Sequence, residues 1–336
     1  MERASSVFQA GLDLQCDSLR EIPATKQGND SMLATNQGLV CHAPAKLNLY
    51  FELLACREDG YHDVETLMVP VSLYDTLTFQ PETDLSKPST STGAIDFSVR
   101  FSGRVGAWSQ QTVTAGPENL VMQALLLLQR ESGVRRGGKV LLKKRIPAGA
   151  GLGGGSSDAA AALRLANHGW GLEWSTERLI ELAAQLGSDV PFFIAPGPKI
   201  GRGRGEQLTP LDPGGRVCAV LVVPPEGLST ADVYRVSEVP RSPRPIEPAI
   251  AAFQAGSLRQ LKQTLHNGLT EAARTISPWI DRVGDAMDRV GFAVHQMTGS
   301  GSGYFGLCRH RKEANRLASR LRAMHVGDVF AINVVR

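Results

Sequence analysis

The sequence predicts an α+β chain with room for two domains, and three observations carry that prediction. Its 336 residues exceed the roughly 100–200 of one ordinary domain. Both structural periods are present: Ala45, Leu47, Leu49 and Phe51 alternate with Lys46, Asn48, Tyr50 and Glu52 as in a strand, whereas Leu120, Leu125, Leu127 and Leu128 recur at helical spacing. After Pro196 a second block opens with its own buried-type strand at residues 217–223. We expect a flexible extension at 1–38, a first domain at 39–196 and a second at 197–336.

The extension is rich in Ser, Gln, Asn, Asp and Thr and keeps no pattern for more than a few residues. It has no apolar core of the roughly 7–15 residues that a secretory signal needs, and its acids, among them Glu2, Asp13 and Asp30, argue against a transit peptide. Met32 offers an alternative start. Ordered texture is expected from Leu39, with the strand through residues 45–51 closed by a turn at Glu58-Asp59-Gly60 and further strand at 64–79. Residues 81–93, full of Pro, Ser, Thr and Gly, suggest a surface insertion. A helix follows at 118–131, stopped by Gly133, then a strand at 140–146 that runs straight into a glycine cluster and a second helix start. Residues 175–187 predict a helix with Ser175 as N-cap and Gly187 as its stop. In the second block, helices are expected near 249–254, 258–265 and 280–290, strands near 293–298 and 303–307, and a last helix at 312–324.

Composition narrows the function. Hydrophobic residues at 42% and charged residues at 21% match a soluble protein with a substantial core. With 36 Lys and Arg against 33 Asp and Glu, the net charge of +3 is too balanced for a protein whose main partner is nucleic acid or an anionic membrane. Cys16, Cys41, Cys56, Cys218 and Cys308 are scattered, so neither a disulfide framework nor a cysteine zinc site is indicated, and a cytoplasmic setting fits best. No apolar run approaches the roughly 20 residues that span a bilayer. His168, His266, His295, His310 and His325 lack metal-ligand spacing.

The chemistry concentrates in Pro147-Ala148-Gly149-Ala150-Gly151-Leu152-Gly153-Gly154-Gly155-Ser156-Ser157. Glycines let backbone N–H groups approach an anion, and the following helix start adds unsatisfied N–H groups and a favourable dipole. Ser156 and Ser157 could cap that helix or meet a phosphate or its Mg²⁺. The Gly-Lys-Ser/Thr ending of a P-loop is absent, and no acidic residue supports a dinucleotide reading. A purely structural turn remains the alternative.

This loop resembles the phosphate-binding motif of the GHMP kinases. Ala43-Pro44-Ala45-Lys46-Leu47-Asn48-Leu49 with Asp59-Gly60-Tyr61-His62, and Leu186-Gly187-Ser188-Asp189-Val190-Pro191-Phe192-Phe193, are similar to signatures of the branch that phosphorylates 4-diphosphocytidyl-2-C-methyl-D-erythritol in non-mevalonate isoprenoid synthesis. Met297-Thr298-Gly299-Ser300-Gly301-Ser302 is similar to the superfamily's C-terminal glycine motif. The resemblance runs from about residue 41 to 308. It implies a two-domain GHMP kinase fold, with an N-terminal ribosomal-protein-S5-domain-2-like, ATP-binding domain and a C-terminal ferredoxin-like substrate domain.

The resemblance also implies roles. ATP with Mg²⁺ would bind at residues 147–157, and the γ-phosphate would pass to the 2-hydroxyl of the cytidyl diphosphate substrate. Asp189 would be the base and Lys46 its partner. Such a pair acts mainly by orienting the hydroxyl and offsetting charge, because phosphoryl transfer is largely dissociative. Without the resemblance, Lys46 reads as a solvated strand lysine and Asp189 as a helix-end hydrogen-bonding residue. Asn48 shares the strand face of Lys46 and would lie near the substrate. Tyr61 and His62 offer an aromatic face and a polar edge suited to a nucleobase, and Thr230 and Tyr234 match a second cytidine-binding segment, with Tyr234 closing an aromatic sandwich or simply filling the core. No carboxylate stands out as the metal ligand; Ser156 or Ser157 could act through the Mg²⁺-nucleotide. Lys199, Arg202 and Arg204 lie in a Gly-rich stretch expected to be a mobile loop near phosphate, and Gly299 to Gly303 form either an active-site floor or a strand turn. His266-Asn267-Gly268-Leu269 departs from the family pattern, which more often has an acid beside the Asn. A GHMP enzyme for another small alcohol, or a non-catalytic nucleotide- or RNA-binding protein, remain the alternatives. The protein is expected to be a monomer or homodimer.

Overall fold

The computed structural model describes residues 20–21, 32–35, 38–82, 93–102, 107–215 and 217–335. In chain order its elements are β1 (Arg20–Glu21), β2 (Met32–Thr35), β3 (Gly38–Cys56), β4 (His62–Pro81), β5 (Ile95–Phe101), α1 (Ala107–Thr112), α2 (Leu120–Ser132), β6 (Gly138–Lys144) and α3 (Gly154–Gly169). Then come α4 (Thr176–Ala184), α5 (Val190–Ile194), β7 (Lys199–Arg202), β8 (Gln207–Pro210), β9 (Cys218–Val223), α6 (Thr230–Arg235), α7 (Glu247–Gln254) and α8 (Leu258–Thr264). The chain finishes with β10 (His266–Asn267), α9 (Thr270–Ile276), α10 (Trp279–Val290), β11 (His295–Met297), β12 (Tyr304–Cys308), α11 (Arg311–Ala323) and β13 (Asp328–Asn333).

Two sheets result. The first has nine strands, with β1-β2-β3-β4-β6-β5 as its path, β10 parallel to β3, and β7 and β8 added on the far side of β4. The second is a four-stranded antiparallel sheet in the order β11-β12-β9-β13. Local chemistry sets the helices: Asn119 caps α2 by accepting from Val121 N (3.0 Å), and Gly133 ends it in the left-handed conformation. Helix α3 lies close on β3 and β4 because its buried face is Ala159, Ala160, Ala161 and Ala162. One core sits under α2 to α5, a second joins the inner faces of the sheets through Leu47, Leu49 and Val71 against Leu221, Phe305 and Ile332, and a third lies beneath α9 to α11. The middle core is shared by both sheets and joins them beside the cleft.

The structure differs from the sequence reading at several places. Ordered chain begins before Leu39, because Met32–Thr35 pairs antiparallel with the start of β3, Met32 opposite Cys41, and with Arg20–Glu21 on its other side; residues 1–19, 22–31 and 36–37 of the expected extension, and residues 83–92 of the expected insertion, lie outside the described residues. Past residue 196, β7 and β8 still pair within the first sheet, and the second sheet begins with β9 at Cys218. Strand β6 covers β4 only from Thr76 onward, so β7 fills the free edge at Thr66, Leu67 and Met68. Helix α4 does start at its Ser175 cap, but it ends at Ala184 with Gln185 as C-cap, and Gly187 lies in the following turn, accepting from Val190 N at 3.2 Å. The short helices α5, α6 and α9 carry too few residues for a periodic signal, and β13, as long as β9, has neither its continuous apolar run nor a clean alternation.

Candidate active site

The cleft lies where the two sheets meet, with a volume of about 1250 Å³, larger than the roughly 300–1,000 Å³ of a single small-molecule site. All nine residues from 147 to 155 line it. The backbone of the glycine loop requires glycine: φ is 68° at Gly149, 69° at Gly151 and 65° at Gly153. A Cβ at Gly151 would stand 2.5 Å from the Thr298 carbonyl oxygen, and one at Gly153 would stand 2.9 Å from the Phe193 ring. The loop is braced from three sides, by Lys46 N to Leu152 O (2.9 Å), Leu228 N to Gly149 O (3.3 Å) and Gly303 N to Ala150 O (3.1 Å). This is an open, rigid N–H-rich cradle at a helix start, and it suits a polyphosphate.

Beneath the loop lies an ion bridge that the sequence reading missed. Lys144, at the end of β6, donates to Asp158 Oδ2 (2.7 Å), just past the first turn of α3, and to Asp75 of β4. Asp75 also accepts the backbone N–H groups of Arg145 and Ile146, the latter at 2.8 Å. All three side chains are buried. The bridge ties the strand entering the loop to the helix leaving it. Burial alone would weaken the Lys144 ammonium, but Asp158 and Asp75 more than offset it and keep it charged; burial pushes the Asp158 carboxyl well above the usual carboxylate range, with Lys144 opposing. The only hint in the sequence was a lysine at a position that alternation assigns to the interior.

The two serines separate. Gly153 occupies the N-cap of α3 with no side-chain cap, so neither Ser156 nor Ser157 caps the helix. Ser156 lines the cleft, whereas Ser157 is turned inward, its hydroxyl buried and without a partner. Asp158 does line the cleft and keeps a buried, unpartnered Oδ1. It is the carboxylate that sequence reasoning failed to single out. Oxygen donors suit Mg²⁺, which commonly keeps waters and takes one or two carboxylates plus substrate phosphates. Ser156 and Asp158, two oxygen-bearing side chains on the cleft wall beside the glycine loop, fit a cation brought in with a nucleotide.

Lys46 and Asp189 come together from 143 residues apart, Nζ to Oδ2 at 3.1 Å and to Oδ1 at 3.3 Å. Lys46 is not solvated: its side chain is 6% exposed, also facing Asn48 Oδ1 (3.4 Å), while that of Asp189 keeps 34% toward the cleft. Asp189 stands at the N-cap of α5 without capping it, so its carboxylate, held by Lys46, keeps its remaining lone pairs toward the cleft. Asn48 borders the cleft but is fully buried, with Nδ2 donating to Thr66 Oγ1 (2.8 Å) and its backbone N–H to Thr298 Oγ1 (2.9 Å). Its polar atoms hold the cleft wall together. Asn267 does the same for the glycine turn, donating to the Met297 (2.9 Å) and Gly299 (2.9 Å) carbonyls. Gly299, Ser300 and Gly301 are both cleft floor and strand connection, and Ser300 meets Thr230 at 2.8 Å.

At the far end Tyr61 is 55% exposed, with the Arg204 guanidinium 5.0 Å over its ring. His62 and Tyr234 lie 5.3 Å apart at 38°, within the contact range of about 4.5–7 Å, so no base fits between these two rings as a simple sandwich would require. The Tyr234 hydroxyl is raised by burial first and by the Asp189 carboxylate second. Tyr61, His62, Thr230, Tyr234 and Arg204 all border the cleft. Lys199 does not, and it sits in a strand rather than a mobile loop; Arg202 is paired with Glu65 at 2.7 Å.

A family model described as the GHMP kinases N terminal domain matches residues 119–197, and one described as GHMP kinases C terminal matches 249–327. A 4-diphosphocytidyl-2-C-methyl-D-erythritol kinase of Pelotomaculum thermopropionicum is 39% identical over 282 residues, covering 83% of this chain and 92% of that one. One of Shouchella clausii is 36% identical over 297 residues, covering 88% and 93%. The chain belongs to the 4-diphosphocytidyl-2-C-methyl-D-erythritol kinase family of the GHMP kinases. A crystal structure of 4-(cytidine 5'-diphospho)-2C-methyl-D-erythritol kinase matches with a TM-score of 0.71 and 34% identity over 88% of this chain and 99% of that one. A crystal structure of L. major mevalonate kinase matches with a TM-score of 0.64 at 16% identity over 87% of this chain and 94% of that one and shows the shared fold alone. The two sheets with the cleft between them are thus the two-domain GHMP kinase fold that the motifs implied. Among the described residues no helix is long and apolar enough to cross a membrane.

Proposed function

We propose that the chain transfers the γ-phosphate of ATP to the 2-hydroxyl of 4-diphosphocytidyl-2-C-methyl-D-erythritol, giving the 2-phosphate and ADP, in non-mevalonate isoprenoid synthesis. The observation that carries this reading is the Lys46–Asp189 pair at 3.1 Å, set in the cleft that the glycine loop opens. Backbone N–H groups of residues 149–155 bind the nucleotide's phosphates. Asp189 accepts a hydrogen bond from the acceptor hydroxyl and takes up its proton, while Lys46 keeps the carboxylate in place and offsets charge on the transferred group. Since the transition state is loose, orientation and electrostatics supply most of the acceleration. Mg²⁺ bound with ATP would neutralise phosphate charge, and Ser156 and Asp158 are the side chains placed to meet it. Tyr61 with Arg204 and the His62–Tyr234 pair offer the base an aromatic surface.

The test is ADP release by the purified protein with Mg²⁺ and ATP, with and without the cytidyl diphosphate alcohol, beside Asp189→Ala. Substrate-dependent release should fall by about 10²–10⁴-fold in the variant, the usual worth of a positioned base. Turnover of homoserine or a mevalonate derivative instead would overturn the substrate, and nucleotide binding with no turnover of any alcohol would overturn the activity.

A further inference from the structure

Lys199 is buried, 3% exposed, outside the cleft, and forms no ion pair among the described residues. Its ammonium instead donates to four backbone carbonyls: Phe192 (3.0 Å), Ala195 (2.6 Å), Pro196 (3.1 Å) and Gly197 (3.1 Å). Three N–H groups serve four acceptors, so one is shared. Nζ also lies 4.7 Å from the centre of the Phe192 ring. Burial pushes this lysine down to about 8, so keeping the group inside carries a cost.

The place of those carbonyls gives the cost a use. They belong to the last turn of α5 and the chain leaving it, where helix carbonyls lack internal partners and a cation is favoured. Helix α5 has five residues, too few to fix its own position. Its other end is Asp189. Lys199 is also the register partner of Met68 on β4, whose sulfur lies 4.0 Å from Lys46 Nζ, so strand and helix refer both members of the Lys46–Asp189 pair to the same lysine.

We infer that Lys199 is a positioning residue for phosphoryl transfer: by anchoring the C-terminal carbonyls of α5 it sets where Asp189 stands against Lys46. This rests on the role given to Asp189 above. The decisive experiment is a double-mutant cycle of Lys199→Met, which keeps the stem and removes the N–H groups, with Asp189→Asn. Each protein is measured for kcat, for KM of ATP and of the acceptor, and for thermal midpoint. Lys199→Met should lower kcat about tenfold or more with the acceptor KM within about twofold, and should change the residual kcat of Asp189→Asn by less than about twofold, because residues acting through one another are non-additive. An equal factor in both backgrounds, or an unchanged kcat in folded Lys199→Met, overturns the inference. So does a rise confined to the KM for ATP, which would place the effect at the contact between Phe193 and Gly153. Full activity in Asp189→Asn alone would instead overturn the site reading. Should Lys199→Met not fold, Lys199→Gln, whose amide keeps two N–H donors, carries the same cycle, and failure of both to fold assigns Lys199 a purely structural role.

Discussion

The two ends of the cleft are built by opposite means. The phosphate end is backbone: a glycine loop braced by three main-chain hydrogen bonds and underpinned by the buried Asp75–Lys144–Asp158 bridge. The base end is side chain, with Tyr61 and Arg204 partly in solvent and His62 against Tyr234. The difference teaches what each end is for. Phosphate binding needs many N–H groups fixed in one geometry, which only an interior scaffold supplies. Base recognition needs one or two faces that a planar ligand can cover, and a surface aromatic with little else attached to it is enough.

The largest expected effect breaks the first end from below. Lys144→Met leaves Asp75 and Asp158 buried without their cation, and removing one partner of a buried ion group costs about 3–5 kcal/mol. We expect a thermal midpoint lowered by roughly 10 °C or more on that basis, with nucleotide binding lost as the loop slackens. Tyr61→Ala, at the other end, should leave the midpoint almost unchanged. A small shift for Lys144→Met in a melting experiment would mean that the bridge is not what holds the loop.

Next comes the loop itself. In Gly151→Ala the new methyl meets the Thr298 carbonyl oxygen at 2.5 Å and the residue must keep a φ of 69°. Strain of about 1–3 kcal/mol should appear as a KM for ATP raised about tenfold or more, with the acceptor KM within about twofold. Equal rises in both constants in steady-state assays would show that the two ends are not separable.

That contrast also explains what the sequence disclosed. The glycine loop was legible because backbone binding leaves a compositional mark in one short segment, and Lys46 and Asp189 were legible because each sits inside a recognisable motif. The ion bridge was not, since Asp75, Lys144 and Asp158 come from three elements, and the alternation that turns Lys144 inward and Lys143 outward names no partner for it. Lys199 was read as part of a mobile loop because glycines surround it; its burial follows from the free edge of β4, a tertiary fact. Ser157 was misplaced because the loop's last positive-φ glycine, Gly153, takes the cap position, which rotates the second serine inward. The two-domain α+β plan was visible, while α6 and α9 were too short to announce themselves and β13 lacked a periodic pattern.

A smaller effect sharpens the second end. Tyr61→Ala removes the exposed face of the base site. Stacking of a base on an aromatic side chain is worth about 1–3 kcal/mol, so the KM for the cytidyl substrate should rise about tenfold, with the KM for ATP unchanged and stability within about 0.5 kcal/mol. Tyr61→Phe should restore affinity if the face is what matters. A Phe variant as weak as Ala in the same assay would transfer the role from the ring to the hydroxyl.

The smallest effect concerns Arg204, whose charge and plane could serve different parts of the same ligand. Its guanidinium stacks 5.0 Å over Tyr61, and its nearest carboxylate, Glu206, is 4.0 Å away with both groups partly in solvent. Such a pair is worth little, so the charge is available to a diphosphate, while the stack contributes about 0.5–1 kcal/mol at an exposed site. Arg204→Ala should therefore raise the substrate KM about two- to fivefold at low ionic strength. If the charge is what the substrate meets, the penalty shrinks in 0.5 M salt, where screening acts within about 3–10 Å, and Arg204→Lys recovers most of it. If the guanidinium only stiffens Tyr61, the penalty ignores salt and Lys is no better than Ala, because an ammonium point charge cannot replace a stacked plane. The second result would make the base end wholly aromatic and leave charge recognition to the rest of the cleft, so that the division of labour between the two ends would be complete.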